Sequence, residues 1–397
     1  MKKILLLGGS EQQVVAIETA KRLGYYTVLC DYLPDNPGQY SADKFYLIST
    51  TDKTEILKVA MEEQIAGILA YASDPAAPTA AYVAEQLRLP GNPYNSVETL
   101  CNKDKFRKFL KENGFNAPKA EGYSSRETVI ANINRFELPI IIKPVDSSGS
   151  KGVTVLDSIE GLEEAVQFAF DFSRSHKIII EEFIEKKHRY LIGGDIFVID
   201  GKIVLWGLMN CHRDEKANSL VPVGKSFPAN LLPKDLEKVK FTLQELVTKL
   251  QIKNGAMNVE LVIDQKDRVW PIDIGPRSGG NMIPDLLGHI FDVDLVEMSI
   301  KAAMGEAITT DIRKITPYFA SYNLHSLENG SFENVEFSSK IEPYIIKKHI
   351  YKVPGDPVEF FDNASKALGI VFFKFDTEEQ MLNILDNMSS YIKIKLR

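Results

Sequence analysis

The sequence predicts an α/β protein of more than one domain. Its 397 residues are too many for one ordinary hydrophobic core, and its 44% apolar and 25% charged residues are typical of a globular chain. Over residues 1–95, short apolar runs alternate with amphipathic segments that have the period of helices. Such alternation predicts a parallel sheet with helices packed on its faces.

The elements of this first segment alternate in a regular order: strand "KILLLGG", helix "QQVVAIETAKRLG", strand "YYTVLCDY", helix "TEILKVAMEEQ", strand "IAGILAYA" and helix "APTAAYVAEQLRL". Gly24 closes the first helix, as glycine commonly does at helix C-termini. The stretch "PGNPYNS" that follows the last helix is rich in turn-forming residues and marks a boundary. We therefore predict a Rossmann-like domain over 1–95.

The middle of the chain mixes helices with antiparallel hairpins. A basic helix, "KDKFRKFLKENG", precedes the strand "PIIIKP", the helix "IEGLEEAVQFAFDFSR" and the strand "KIIIEEFIE". The segment "RYLIGGDIFVIDGKIVLWGLMN" predicts a hairpin, because Asp200-Gly201 is a favoured two-residue turn. The helix "PKDLEKVKFTLQELVTKLQI", a second hairpin in "AMNVELVIDQKDRVWPIDIG" and the helix "DLVEMSIKAAMG" follow. From about Ile312, short strands and the helix "TEEQMLNILDNM" complete the chain.

The composition excludes several classes of protein. A net charge of −7 provides no general attraction for nucleic acid or an anionic membrane, so we expect neither as a partner. Cys30, Cys101 and Cys211 are too far apart in sequence to indicate a zinc cluster or a disulfide framework. The apolar run in "MKKILLLGG" is too short for a secretory signal, and no run has the length of a membrane span. A cytoplasmic protein is expected.

The turn "GGSEQQ" after the first strand is a weak nucleotide signal. A dinucleotide fingerprint needs G-x-G-x-x-G, whereas this loop ends at Gly8-Gly9-Ser10 and places Glu11 where it would push against a pyrophosphate. Asp31 does follow the second strand, where a ribose-binding acid would lie. A structural or substrate-facing turn is the favoured interpretation, and a dehydrogenase is its rival.

The loop after "PIIIKP" has the composition of an anion-binding cradle. It is not a Walker A loop, because Lys151 is followed by Gly152 and Val153. Its small residues let backbone N–H groups approach phosphate oxygens, and they are Ser147, Ser148, Gly149, Ser150 and Gly152. Lys143 leaves the preceding strand as a second cation. A plain surface turn of serine and glycine explains the loop equally well.

The second hairpin predicts a metal site. With "QKDR" as its loop of four residues, Glu260 stands opposite Asp273 on one face of the pair. Opposed carboxylates repel each other unless a cation lies between them. Mg²⁺ suits the pair, because it takes a few carboxylate oxygens and completes its octahedron with phosphate and water. The alternative is a solvated face. Downstream, Arg277 in "GPRSGGN" is suited to stabilise a developing phosphoryl group or oxyanion.

With these motifs in order, the chain resembles the ATP-grasp superfamily of carboxylate–amine ligases, which includes biotin carboxylase, the carbamoyl-phosphate synthase large subunit and the L-amino acid ligases. The resemblance is strongest from Asn102 to Gly305. It implies a two-lobed α+β ATP-grasp domain at 96–310, with a small lobe at about 100–185 and a large lobe at about 186–310. It also implies a small C-terminal α+β domain at 311–397.

The resemblance implies roles for particular residues. The ATP phosphates are assigned to lysines and small residues: Lys105 of "NKDKF", Lys143, Ser147, Ser148, Gly149, Ser150, Lys151 and Gly152. The adenine hinge is matched by "EEFI", which comprises Glu181, Glu182, Phe183 and Ile184. Mg²⁺, or Mn²⁺ in its place, is assigned to Glu260 and Asp273. Arg277 and Lys151 are implied as the catalytic residues.

The chain departs from the family pattern near the site. The second metal acid is commonly Glu, and here it is the shorter Asp273. Gly275 stands where the family often has Asn as a further metal ligand, so the number of Mg²⁺ ions stays open. His188 stands where many members have a ribose-binding Glu, and it is either a nucleotide contact or a surface histidine. Arg213 in "NCHRDEK" is either substrate-facing or part of a solvated loop.

The implied activity is that of an ATP-dependent ligase of EC 6.3 type. A carboxylate attacks the γ-phosphorus of ATP to form an acyl phosphate, an amine then displaces phosphate, and the serine–glycine loop acts as a lid that excludes water. The substrates are small molecules, with an amino acid as the expected amine, and homodimers are common among similar proteins. The rivals are a carbamoyl-phosphate-synthase-like or carboxylase-like enzyme that acts on bicarbonate, and a catalytically inactive nucleotide-binding protein.

Overall fold

Four β-sheets organise the part of the chain that the computed structural model describes, which comprises residues 1–308 and 315–397. The protein is an α/β chain, as predicted: a parallel sheet comes first, and antiparallel sheets with flanking helices follow. The predicted domain limit at 310/311 and the predicted start of the last segment at Ile312 lie outside the described residues.

The N-terminal sheet is parallel and has the strand order β3-β2-β1-β4. Its segment contains β1 (Lys3–Leu7), α1 (Val14–Arg22), β2 (Tyr26–Asp31), α2 (Gly38–Ser41), β3 (Lys44–Leu47), α3 (Lys53–Glu63), β4 (Gly67–Leu69), α4 (Ala77–Gln86) and α5 (Tyr94–Cys101). One hydrophobic core joins a face of the sheet to α3 and α4. A second core joins the other face to α1 and to a helix distant in sequence, Leu295–Met304.

The strand order of this sheet reverses between β1 and β4, and the carboxyl ends of such strands open a crevice for ligands. Within the turn after β1, the N–H of Gly9 donates to Asp31 Oδ2 at 2.7 Å. The buried side chain of Gln13 accepts from the N–H of Ser10 at 2.9 Å. The N–H groups of Gly9 and Ser10 are therefore bonded to protein side chains, which favours the structural interpretation over a dinucleotide site.

A second, four-stranded sheet with the order β5-β8-β6-β7 lies where the small lobe is predicted. Its segment contains α6 (Lys103–Glu112), β5 (Ala120–Tyr123), α7 (Arg126–Asn132), β6 (Ile140–Pro144), β7 (Thr154–Leu156), α8 (Leu162–Asp171) and β8 (Ile178–Glu182). Alternate residues of β6 and β8 pack against α7 and α8. Because side chains alternate along a strand, Lys143 and Glu181 project from the opposite face.

The largest sheet has eight strands, all paired antiparallel, in the order β13-β12-β9-β10-β11-β14-β18-β16. Its first part contains β9 (Leu191–Ile199), β10 (Lys202–Arg213), β11 (Pro222–Phe227), α9 (Pro233–Lys249), β12 (Gly255–Ile263), β13 (Val269–Gly275), α10 (Ile283–Phe291) and α11 (Leu295–Met304). Asp200 and Gly201 have positive φ and form the turn between β9 and β10, which confirms the predicted hairpin. Met257, Val259 and Leu261 lie in the core beneath α9, so Glu260 projects from the other face.

The C-terminal strands continue this large sheet, because β14 pairs with β11 and the strands β18 and β16 follow it. The elements are β14 (Phe319–Leu324), β15 (Gly330–Phe337), β16 (Ile345–Ile350), β17 (Pro357–Val358), β18 (Gly369–Lys374), α12 (Glu378–Asp386) and β19 (Ile392–Leu396). The strands β17, β15 and β19 form a sheet of their own. Within the described ranges, no helix combines the length and apolar character that crossing a bilayer requires.

Candidate active site

Glu260 and Asp273 stand directly opposite each other on β12 and β13, as the sequence predicted. The predicted loop of four residues is wrong, since the register places the five residues Asp264–Arg268 between the paired strands. A β-bulge at Ile272 takes up the difference and restores the pairing of the two acids. Bulges recur beside active sites, where they re-aim side chains.

Lys103, and not Lys105, lies beside Asp273. Lys103 is the first residue of α6, and its Nζ lies 3.6 Å from Asp273 Oδ2 and donates to the Ser147 carbonyl at 2.8 Å. Lys105, which the sequence assigned to phosphate, is half exposed and pairs with Glu98 at 2.6 Å. Residues two apart on a helix point in different directions, so only one of these lysines can face the acids. The structure therefore places Lys103, rather than Lys105, beside the paired acids.

The carboxyl group of Asp273 lies in a field of positive charge. Burial raises its pKa, but the charges of Lys103 and Lys143 outweigh burial and hold the pKa below its ordinary value. Asp273 is consequently ionised at neutral pH. These cations would attract a negatively charged ligand such as a phosphate.

Glu260 is surrounded by cations that do not bond to it directly. The nearest are Arg213 Nη2 at 3.8 Å and Lys225 Nζ at 3.9 Å, both measured to Glu260 Oε1. Residues 1–308 and 315–397 contain no group of three or more His, Cys, Asp or Glu side chains suited to a metal. Two opposed carboxylates fit Mg²⁺ if the remaining ligands are phosphate oxygens and water.

Lys143 belongs to a buried group of charged side chains on the face of the small sheet opposite α7 and α8. Its Nζ donates to Glu181 Oε2 at 2.8 Å, and Arg107 Nε donates to Glu181 Oε1 at 2.8 Å. Arg107 also donates to the carbonyl of the bulge residue Ile272 at 2.6 Å. The side chain of Glu181 is thus occupied by two cations, and the group ties the small sheet to the β12–β13 hairpin.

The flap, defined here as residues 145–153 between β6 and β7, is held at its base and its tip. At the base, the Asp146 carboxylate accepts from the N–H of Ser175 at 2.8 Å. At the tip, Ser150 Oγ donates to the Leu220 carbonyl at 2.9 Å. The flap therefore spans from the small sheet to the loop between β10 and β11.

The backbone of the flap explains its glycines. Gly149, Ser150 and Gly152 have φ of 68°, 60° and 72°, in the left-handed region that glycine adopts at little cost. Left-handed residues next to ordinary ones also occur in the backbone of anion-binding loops. Lys151 lies on the same segment and is half-buried.

A cleft of about 420 Å³ opens between the flap, the start of α6 and the turn after β4. Its lining includes the predicted residues Asp273, Ser147 and Ser148 together with two that the sequence analysis did not assign, Lys103 and Asp74. The serines and one of the acids are thus brought together, as the predicted phosphate site requires.

The predicted adenine hinge keeps few free backbone donors. The N–H of Glu182 donates to the Lys119 carbonyl at 3.0 Å, and the N–H of Phe183 donates to the Pro139 carbonyl at 2.9 Å. Ile184 is the first hinge residue whose N–H has no hydrogen-bond partner among the described residues. A base bound here would therefore meet the backbone at Ile184.

His188, for which the sequence left open a nucleotide contact or a surface position, lies against the backbone of Ile263 and Tyr190. Its Nε2 accepts from the N–H of Ile263 at 2.9 Å, and its Nδ1 contacts the carbonyl of Tyr190. Burial lowers the pKa of His188, which favours the neutral ring that this pair of contacts needs. Both ring nitrogens are used, so neither is left for ribose or phosphate.

Arg277 is held by Asp74, which lies on the turn after β4 at the crevice of the N-terminal sheet. Arg277 Nε donates to Asp74 Oδ1 at 2.8 Å, and Arg277 Nη2 contacts the other carboxylate oxygen. A Cβ atom at Gly275 would lie only 2.6 Å from Asp74 Oδ1. The space of a side chain at 275 is therefore taken by the carboxylate that orients Arg277.

Asp195, on β9, supports the loop that follows Arg277. Its side chain is buried and accepts from the N–H of Gly279 at 2.7 Å and from Asn258 Nδ2 at 2.8 Å. Burial raises the pKa of Asp195 to about 6, although both hydrogen bonds act in the opposite direction. The folded protein thus holds a proton on this carboxyl more tightly than the unfolded chain does.

This pKa predicts a pH dependence of stability. As pH rises from about 4 to about 6, the free energy of unfolding should fall by up to about 3 kcal/mol through Asp195 alone, because the folded state loses a proton that the unfolded state has already lost. Denaturant unfolding at several pH values, with Asp195→Asn as the comparison, measures this slope. An identical pH dependence in the two proteins would contradict the assignment.

Sequence reasoning missed contributors that lie far apart along the chain: Lys103, Arg107, Asp74 and Lys225. The basic helix "KDKFRKFLKENG" carried a signal for the first two, since a cation at its buried face needs a partner. No local signal marks Asp74 or Lys225.

Comparison with known proteins identifies the class. Residues 136–285 match the ATP-grasp domain model. The chain is 25% identical over 398 residues to the formate-dependent phosphoribosylglycinamide formyltransferase of Vibrio vulnificus, covering 99% of this chain and 97% of that protein. The solved L-amino acid ligase from Bacillus licheniformis has a TM-score of 0.82 at 18% identity and covers 100% of this chain and 99% of its own.

A third relative is the solved biotin carboxylase domain of the Hydrogenobacter thermophilus 2-oxoglutarate carboxylase, in complex with magnesium ADP and bicarbonate. Its TM-score is 0.73 at 16% identity, with 100% of this chain and 91% of that chain covered. At such identities the structural likeness shows a shared fold.

The fold and the paired acids define an ATP-grasp protein. Residues 136–285 form an ATP-grasp domain, and the chain is an ATP-dependent ligase of the carboxylate–amine type.

Proposed function

We propose that this enzyme uses MgATP to activate a small organic carboxylate and joins it to an amine, with an amino acid as one of the two substrates. The observation that carries the proposal is the opposition of Glu260 and Asp273, with Asp273 in one cleft with the flap serines and beside Lys103. The relatives support it, because one is named for formate and another for L-amino acids. A cytoplasmic location, where ATP is available, is part of the proposal.

The triphosphate would lie on the Asp273 side of the site. Lys103 and Lys143 supply positive charge there, and the flap supplies backbone N–H groups over Ser147 to Gly152. The base would meet the backbone at Ile184. Mg²⁺ held by the two acids would neutralise charge on the terminal phosphates.

The chemistry needs no side-chain nucleophile. An oxygen of the substrate carboxylate bonds to the γ-phosphorus as the bond to the β–γ bridging oxygen breaks, and ADP leaves. The amine nitrogen then attacks the acyl carbon and loses a proton, and phosphate leaves with the oxygen through which it was attached. Positioning and electrostatic stabilisation would supply the rate, and Arg277 would stabilise the negative oxygen of the tetrahedral intermediate.

An isotope experiment tests this function. The protein is incubated with MgATP, a panel of carboxylates labelled with ¹⁸O, and a panel of amines that includes ammonia and L-amino acids. We expect ADP release that requires a carboxylate, an amide product by mass spectrometry, and one ¹⁸O atom in the phosphate. Glu260→Gln should reduce ADP release by about 100-fold or more.

Two results would contradict the proposal. ADP release with bicarbonate alone and no organic acid would indicate a bicarbonate-activating enzyme. Nucleotide binding without ADP release under any combination would indicate a nucleotide-binding protein without ligase activity.

A further inference from the structure

A second group of cations lies on the side of Glu260 that faces away from Asp273. Arg213 ends β10, and Lys225 lies on the neighbouring strand β11. Their terminal nitrogens lie 3.8 Å and 3.9 Å from the same Glu260 oxygen, beyond hydrogen-bond distance. The two acids are therefore flanked by two separate sets of cations, Lys103 and Lys143 on one side and this pair on the other.

Lys225 is 5% exposed and reaches across the sheet toward Glu260. Its Nζ passes above Gly193 on β9, where a Cβ atom would lie 2.8 Å from it. Its hydrogen-bond partner is the thiol of Cys211, at 2.7 Å. An ammonium group has three donors, and a thiol is a weak acceptor, so this buried cation is left with donor capacity.

Arg213 has a buried nitrogen without a partner. Its Nη1 is shielded from solvent and makes no hydrogen bond within the described chain. A β-bulge between His212 and Arg213 falls at this point of the β10–β11 pair, and bulges re-aim the side chains beside them. A guanidinium group held with a free edge matches the two oxygens of a carboxylate or phosphate.

Buried donors of two cations that face one point indicate an anionic ligand, because such groups are otherwise satisfied by the protein. We propose that Arg213 and Lys225 form the subsite for the substrate carboxylate that is to be activated. The inference rests on the proposed function. The reason is that two negative ligands need separate cations. The triphosphate would be bound by the flap and by the cations beside Asp273. The attacking carboxylate would approach the γ-phosphorus from the other side of the acids.

The test uses two readouts. Acetate, formate and orthophosphate are titrated calorimetrically into protein saturated with MgADP, and the Michaelis constants for MgATP and for the most active carboxylate of the panel are measured. In Arg213→Met and Lys225→Met, carboxylate affinity should fall and its KM rise by about tenfold or more. The affinity for MgADP should stay within about twofold of the wild-type value, because the nucleotide is proposed to lie on the Asp273 side of the acids.

Matched variants keep the test independent of folding. Lys202→Met removes an exposed lysine of the same strand β10 and should leave both constants unchanged. Arg213→Lys and Lys225→Arg keep the charge and should recover part of the carboxylate affinity. Thermal unfolding of each variant shows whether the fold is retained.

The outcomes separate the inference from the proposed function. A loss of orthophosphate binding with carboxylate binding unchanged would assign the subsite to a phosphate and overturn the inference. An equal loss of MgADP affinity, or a changed Mg²⁺ requirement alone, would show that the two cations serve the nucleotide or balance Glu260, and would overturn it too. Wild-type protein that releases no ADP with any acid would refute the proposed function and the inference together.

Discussion

Lys103→Met is expected to lower kcat/KM for MgATP by about 100- to 1,000-fold, whereas Lys105→Met should lower it by less than about threefold. Lys103 lies 3.6 Å from Asp273 and holds the Ser147 carbonyl at the flap, so its charge is placed for the phosphates. Lys105 is half exposed and paired with Glu98. Steady-state release of ADP measures both variants.

Lys103→Arg serves as the control, because it keeps the positive charge at the start of α6 and should retain a larger part of the activity than Lys103→Met. Calorimetric titration with MgADP separates lost nucleotide binding from lost turnover. If Lys105→Met proved the more damaging of the two methionine variants, the placement of the phosphates beside Asp273 would be wrong.

Gly275→Asn is expected to lower kcat by about 100-fold or more, although the family often has Asn at this position. A Cβ atom at 275 would lie 2.6 Å from Asp74 Oδ1 and 3.3 Å from Arg277 Cζ, so the added side chain must displace the ion pair that orients Arg277. The variant should therefore show lower turnover with a smaller change in MgADP affinity.

A double-mutant cycle tests the cause. In an Asp74→Ala background the clash is removed. The factor by which Gly275→Asn lowers kcat should therefore be about tenfold smaller there than in the wild-type protein. Gly280→Ala, on the loop that follows β13, is the control, since its Cβ would meet only Gln12 Oε1, at an ordinary contact of 3.5 Å. An equal reduction of kcat by Gly275→Asn in both backgrounds would show that a side chain at position 275 does not compete with Asp74 for space.

The pairing of Glu260 with Asp273 could be read from the sequence even though the turn could not. Strand alternation placed Glu260 opposite the core face of β12, and the core beneath α9 confirms that face. The loop length was wrong by one residue, and the bulge at Ile272 compensated for it. The bulge contacts Arg107, which is distant in the sequence, and no residue pattern within the hairpin predicts it.

Lys103 and His188 show where local reasoning stopped. The motif "NKDKF" offers two lysines at the start of one helix, and only the packing of α6 against the flap decides which one faces Asp273. His188 has the residue type of a nucleotide contact, but Ile263 and Tyr190 occupy both its ring nitrogens. The sequence gives the type of each residue, whereas its hydrogen-bond and ion-pair partners are determined by the fold.

By itself the sequence determined the α/β class, the two predicted hairpins, the opposed acids and the composition of the flap. These features depend on residues that are near one another along the chain, where periodicity, turn preference and strand alternation act. Only the tertiary structure decided that Asp74 orients Arg277 from 203 residues away, and that Lys225 reaches Glu260 over Gly193. Such contacts arise because packing brings together segments that are distant in the sequence. The sequence separation between their residues follows no regular pattern from which the contact could be predicted.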